Sequence, residues 1–308
     1  MPKWTASEIP DQTGRTVVIT GASSGLGLRS AEALAAKGAR LLLACRNPAK
    51  AATALAAVTA KATGVEPEVI ALDLASLASV ADCAQHLSAR VDHIDVLVNN
   101  AGIMAVPRAR TEDGFESQLG TNHLGHFALT GRLLPLLLAA PEPRVVTVSS
   151  NAHRFGRLHE DDLFFERGHY GRWSAYGQSK LANLLFSSEL QRRAVGAGTA
   201  LTSVAAHPGY ASTNLTSGPA AGAAFLKPLL AIGDRFVGQP DHMGALPQLY
   251  AATMPDVLAD DYWGPDAFRE QRGHPTRVGR SARALDPEAA RRLWERSEEL
   301  TGVLYPWP

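Results

Sequence analysis

The segment TVVITGASSGLGLRSAEALAAKG, residues 16 to 38, constrains the fold of this chain more than any other stretch. A short β-branched run enters a turn holding Gly21, Gly25 and Gly27 and leaves into an Ala/Leu-rich stretch, which predicts strand, phosphate loop and helix in that order. Glycines adopt backbone conformations that other residues resist, and they let helix N-terminal amides approach a pyrophosphate. A glycine turn between strand and helix that holds no ligand fits the same pattern, so other segments must decide.

The next apolar run, in ARLLLACRNPAK, ends on Cys45 and Arg46 where a dinucleotide-binding fold usually carries an acid for the adenosine ribose hydroxyls. A guanidinium there suits a 2′-phosphate, which it grips with parallel charged hydrogen bonds. NADP is therefore favoured over NAD, the alternative being a merely solvated arginine.

Strands are predicted near 16 to 20, 40 to 44, 67 to 72, 94 to 99, 144 to 149 and 200 to 206, alternating with helical stretches. Each is nearly continuously apolar, as in a sheet covered on both faces. The expectation is an α/β fold with a doubly wound parallel sheet (a Rossmann fold). Asn47 before Pro48 and Asp286 before Pro287 read as helix starts, the latter opening a C-terminal helix over 286 to 302. No Pro/Ser-rich linker or repeat divides the 308 residues, so one domain over 1 to 308 is expected, with 214 to 240 as a cover over the site.

YGQSK sets Tyr176 and Lys180 one helical turn apart, on one face. A phenol carries protons poorly at neutral pH unless a positive charge favours its phenolate, and Lys180 could supply that charge.

Together these segments resemble the short-chain dehydrogenase/reductase family of single-domain type. TGASSGLG is similar to its TGxxxGxG loop, NNAG at 99 to 102 to its cofactor-proximal strand end, YGQSK to its YxxxK active site, and HPGYAST at 207 to 213 to its PG segment. CRNPAK, NHLGHF, VSSNAH and YGQSKLANLLFSSEL further resemble the branch of retinol dehydrogenases, WW-domain oxidoreductases and light-dependent protochlorophyllide reductases. The resemblance implies catalytic roles for Ser150, Tyr176, Lys180 and Asn122: Ser150 hydrogen-bonds a carbonyl oxygen, Tyr176 delivers the proton, Lys180 also binds the nicotinamide ribose, and Asn122 holds a water leading from the lysine to solvent. It implies cofactor contacts from Ser23, Ser24 and Leu26 beside the three glycines, and from Asn100, Ala101, Gly102, Pro208, Gly209 and Thr213. It also implies them from Arg46, Asp73, Leu74, Tyr176 and Lys180. Asp73 would accept from the adenine amino group, or else serve as a helix N-terminal carboxylate. Ser149 is the adjacent rival to Ser150; strand alternation turns the two side chains in different directions, and the resemblance favours Ser150 with Ser149 structural.

Other features carry less chemistry. His123 and His126 could pair on a metal, but no third ligand completes a site; His207 reads as a local hydrogen-bonding residue. Phe155, Phe164, Phe165, Tyr170 and Trp173 lie in the long stretch between Ser150 and Tyr176, where they either line a pocket for an apolar alcohol or carbonyl compound or pin the loop. LANLLFSSEL serves internal packing or, as in relatives of the family, a homodimer or homotetramer.

A formal net charge of +0 argues against electrostatic search for nucleic acid. Cys45 and Cys83 form no disulfide framework, which fits a cytoplasmic setting. No membrane span is expected: the N-terminal stretch is polar, and Leu133 to Ala140 is short, holds Pro135 and reads as the end of a core helix. The expectation is an NADP-dependent alcohol dehydrogenase or carbonyl reductase for a lipophilic alcohol, aldehyde or ketone. The alternatives are a cofactor-binding regulatory or scaffolding protein and, less supported, a pigment-ring reductase.

Overall fold

The computed structural model describes residues 3–210 and 239–308. Its first half alternates strand and helix: β1 Thr16–Thr20, α1 Gly25–Ala35, β2 Arg40–Cys45, α2 Pro48–Thr59, β3 Glu68–Ala71, α3 Leu77–Ser88 and β4 Val96–Asn99. The turn α4 Ser117–Leu119 runs through a π-helical segment, Gly120–Leu124, into α5 Gly125–Leu138. Then come β5 Arg144–Val148, α6 Arg172–Gly196, β6 Thr202–Ala206, α7 Asp241–Gly244, α8 Leu246–Thr253, β7 Tyr262–Ala267, β8 Arg272–Arg277 and α9 Pro287–Thr301.

Among the described residues the strands form one eight-stranded sheet in the order β3-β2-β1-β4-β5-β6-β7-β8. Pairing is parallel from β3 through β7, with Val18 opposite Leu42 on one side and Leu97 on the other. The expected parallel sheet needs one correction: β8 adds antiparallel to β7. The two extra strands escaped the apolar pattern because they contain Gly264, Pro265, Gly273 and Pro275, residues that depress any strand reading.

Period-two alternation feeds two cores. Val17, Ile19, Leu41, Leu43, Val96 and Val98 point toward α1, α2 and α8, whereas Val18, Leu42, Leu97 and Val145 point toward α3, α5 and α6. Asn47 and Asp286 cap their helices as expected, accepting from Lys50 N and from Glu288 N and Ala289 N. Gly302, at φ 64°, ends α9 in the left-handed conformation.

The apolar face of LANLLFSSEL is consumed inside the chain. Leu181, Leu184 and Leu185 pack with Ala289, Ala290 and Leu293 of α9, and Phe186 stacks on Trp294 with ring centroids 5.9 Å apart. No helix among the described residues is long and apolar enough to cross a membrane. The run from Leu133 is the buried end of α5.

Candidate active site

The strand order reverses between β1 and β4, and a cavity of about 370 Å³ opens at their carboxyl ends. Its wall contains Gly21, Ser23, Ser24, Gly25, Leu26 and Gly27 from the first turn, Arg46, Asp73 and Leu74 from the next two strand ends, and Asn100, Ala101 and Gly102 after β4. Tyr176, Lys180 and Pro208 also line it, with Ser149, whereas Ser150 stands just outside this wall as the cap of the short turn after β5, its Oγ accepting from Ala152 N at 3.2 Å. Gly209 lies beside it at φ 67°, against the Gln271 carbonyl. Thr213 and most of 214 to 240 fall outside the described residues.

Two glycines have a specific steric reason. Gly21 sits at φ 68°, and a Cβ there would come within 2.9 Å of Ala101. A Cβ on Gly27 would meet the Gly21 carbonyl oxygen at 2.5 Å. The loops close on each other because Thr20 Oγ1 accepts from the amides of Asn100 at 2.9 Å and Ala101 at 3.0 Å, while Asn100 Nδ2 donates to Thr20 O at 2.7 Å.

A dinucleotide fits these residues. The caps of α2, α3 and α9 each accept from a first-turn amide, but Ser24 makes no side-chain cap bond to α1. The start of α1 thus offers its amides to an anion in the crevice, where Gly25, Leu26 and Gly27 form the wall. Several wall residues were missed by the sequence reading, among them Asn47 and Lys50, which border the cavity with Arg46. The signal was available, since a helix starting at Asn47-Pro48 puts Lys50 in its first turn, at the same end as Arg46. Asp73 is not the N-terminal carboxylate of α3; Ser76 holds that place, and Asp73 Oδ1 accepts from Ala75 N at 3.0 Å.

At the other end of the cavity, α6 carries Tyr176 and Lys180, both buried. Burial pushes the Tyr176 phenol up to about 12, with a hydrogen bond to Ser150 drawing it partly back. Burial also lowers Lys180 to about 8. Its Nζ donates to Val148 O at 3.1 Å and lies 5.7 Å from the Tyr176 ring centroid. Within the protein alone, then, desolvation outweighs the lysine's expected pull on the phenol. Ser149, which also borders the cavity, commits its Oγ to Lys180 O, donating at 2.8 Å.

Asn122 lies behind this wall, fully buried in the π-helical segment. Its Oδ1 accepts from Ile103 N at 2.8 Å, and its Nδ2 donates to Ile103 O and Ser179 Oγ, each at 2.9 Å. Gly102 separates it from Lys180: a Cβ on that glycine would lie 3.1 Å from Asn122 Oδ1 and 3.5 Å from Lys180 Nζ.

The aromatic residues between Ser150 and Tyr176 divide. Phe164, Phe165 and Tyr170 anchor the loop, through ring contacts with Phe115 and with each other and through the Tyr170 hydroxyl to Val106 O. Phe155 and Trp173 are exposed, and Trp173 stands edge-on to Tyr176. His207 Nδ1 accepts from Gly209 N at 3.2 Å, the local role expected of it. His123 bonds Ser297 and His126 bonds Thr20, and no group of three metal-ligating residues occurs among the described residues.

A crevice at the strand-order reversal, walled by a glycine loop and ending on a paired tyrosine and lysine, defines a dinucleotide-dependent enzyme class. The short chain dehydrogenase family model matches residues 15–222, and the chain belongs to that family. It is similar to mouse (Mus musculus) retinol dehydrogenase 14, 40% identical with 94% of this chain and 87% of the relative covered, and to human (Homo sapiens) retinol dehydrogenase 13, 37% identical with 95% and 86% covered. A crystal structure of an uncharacterised protein from Mycobacterium Paratuberculosis superposes with a TM-score of 0.82 at 46% identity, covering 99% of both chains. A short chain dehydrogenase from Shigella flexneri 2a, solved with NADP, shares the fold with a TM-score of 0.63 at 23% identity over 80% of this chain and 95% of that one.

Proposed function

We propose that this chain is an NADP-dependent oxidoreductase that interconverts a lipophilic alcohol and its aldehyde or ketone, acting as one catalytic domain in the cytoplasm. The observation that carries the reading is Tyr176 beside Lys180 on α6, both buried and both lining the end of a crevice that fits a dinucleotide, with Ser150 close enough to lower the phenol's pKa. Membership of a dehydrogenase family and likeness to retinol dehydrogenases support the apolar substrate class. Both cysteines are free and buried, in keeping with a reducing compartment.

When bound, the nicotinamide supplies or takes up the hydride. The chain's own work is then proton transfer and orientation. Ser150 donates a hydrogen bond to the substrate oxygen as charge grows there. Tyr176, protonated at neutral pH because its burial holds the phenol near 12, donates its proton to that oxygen in the direction of reduction. Lys180 keeps a positive charge close to the phenol, which favours the phenolate left behind. Asn122 clamps Ile103 and so fixes the Gly102 wall that stands between it and the lysine.

The test is a screen of aldehydes, ketones and alcohols with NADPH and NADP⁺, followed at the nicotinamide absorbance. Carbonyl reduction is expected; NADPH binding without turnover of any compound would instead favour a regulatory role. In this reading cofactor choice falls to Arg46, just after β2 where an acid would serve NAD, and to Lys50, which borders the cavity with it. The double variant Arg46→Asp, Lys50→Ala is expected to weaken NADPH about tenfold to a hundredfold while sparing NADH, the size of one or two lost charged hydrogen bonds. An unchanged ratio of the two affinities by fluorescence titration would remove these residues from the assignment.

A further inference from the structure

His126 is fully enclosed in the first turn of α5, with 1% of its surface exposed. Both ring nitrogens are engaged: Nδ1 lies 3.0 Å from the Asn122 carbonyl oxygen, and Nε2 lies 2.9 Å from Thr20 Oγ1. A carbonyl can only accept, so Nδ1 carries the proton and Nε2 is the acceptor. The Thr20 hydroxyl therefore donates to His126, which is nearer than the competing Val98 carbonyl at 3.3 Å. Its lone pairs are left to receive the amides of Asn100 and Ala101. One ring thus fixes the hydroxyl that joins the two cofactor-facing loops and also the carbonyl of the residue that clamps Ile103.

We infer that His126 is a positioning residue that ties the end of β1 to the π-helical turn bearing Asn122, linking the dinucleotide crevice to the lysine side of the active site. The inference rests on the reading that the crevice takes a nicotinamide dinucleotide. It is not a proton carrier: burial, reinforced by the nearby charge of Lys180 and opposed by the bond to the Asn122 carbonyl, holds the ring down to about 4, and the ring has no contact with solvent. Both of its bonds are made by the neutral ring, so the tie persists throughout the neutral range.

Nitrogen NMR of ¹⁵N-histidine-labelled protein tests the tie directly, with the His126 signals identified by their loss in His126→Gln. The expected result is a neutral ring protonated on Nδ1, with no titration between about pH 5.5 and 8, whose resonances move when NADP⁺ binds. Protonation on Nε2, or resonances that ignore NADP⁺ while fluorescence reports NADPH binding, overturns the inference. Failure to bind NADPH at all counts against the cofactor reading instead, and the tautomer alone then decides whether the tie exists.

Kinetics separate positioning from simple packing. His126→Phe keeps the volume and removes both bonds, and kcat per folded molecule is expected to fall about tenfold with KM for the carbonyl substrate nearly unchanged. His126→Asn keeps a donor near the Asn122 carbonyl and His126→Gln keeps reach toward Thr20, so both should fall between wild type and Phe. A Phe variant with a lower melting temperature but wild-type kcat overturns the role. Should that variant not fold, wild-type kcat in both Asn and Gln variants overturns it equally, and reduced kcat in either supports it.

Discussion

Tyr176→Phe is expected to bind NADPH within about twofold of wild type and to lose roughly 10²–10⁴-fold in turnover, the usual contribution of one positioned proton donor. The asymmetry follows from where the hydroxyl sits. Its ring is buried on α6 and packs equally well as phenylalanine, while the oxygen meets Ser150 and opens on the cavity. Loss should appear in kcat and kcat/KM alike, because the bond to the reacting oxygen strengthens only as charge develops. Steady-state rates with a carbonyl substrate, set beside a fluorescence titration of NADPH, make the comparison. Turnover close to wild type would defeat the assigned role, whereas a parallel collapse of NADPH affinity would show that the phenol serves binding more than chemistry.

The second large effect belongs to stability. Trp294 of α9 is 1% exposed and is held on every side. It stacks on Phe186, meets Phe127 edge-on at 5.0 Å and Tyr305 at 4.4 Å, and carries the Arg193 guanidinium 4.6 Å above its ring. Its indole nitrogen donates to Glu298 Oε1 at 2.9 Å. Trp294→Ala is expected to cost about 3–5 kcal/mol, since it removes a large buried side chain from a region too rigid to collapse. Urea denaturation monitored by circular dichroism should show the midpoint falling with little change in slope. An unaltered midpoint would mean that α9 adds little to the fold. Deleting the chain from Asp286 onward should cost more, because it also uncovers Leu181, Leu184 and Leu185 on the back of the active-site helix.

Much of this was legible in the residues, and for identifiable reasons. The glycine loop reads clearly because it combines three signals in one short stretch: a β-branched run, glycines whose Cβ atoms would collide with neighbouring backbone, and an Ala/Leu-rich helix. Asn47 and Asp286 declare helix starts through chemistry that acts within four residues. Ser149 and Ser150 follow each other at the end of β5, and alternation alone says that their side chains diverge, not which of them borders the cavity: Ser149 does. What escaped was non-local or unusual. The π-helical turn at Gly120–Leu124 has no composition of its own, so the route from Asn122 through His126 to Thr20 could not be foreseen from NHLGHF. The anchoring of Phe165 and Tyr170 depends on Arg108, Glu116 and Gln118, far away in the chain. The phenol's upward shift reflects burial, a quantity that spacing alone does not carry.

The last strand repays the difficulty of finding it. A sheet's outer margin normally presents a row of vacant amides that another chain can use as a template for growth. Along β8, Pro275 has no amide to offer and the Gly273 amide is taken by Gln239 Oε1, while the His274 amide is held by Asp266 Oδ1 of the paired strand β7 and Arg272 and Arg277 bracket the stretch with charge. Gly273 and Pro275, which hide the strand from a pattern search, thus also leave it fewer amides to offer along that border.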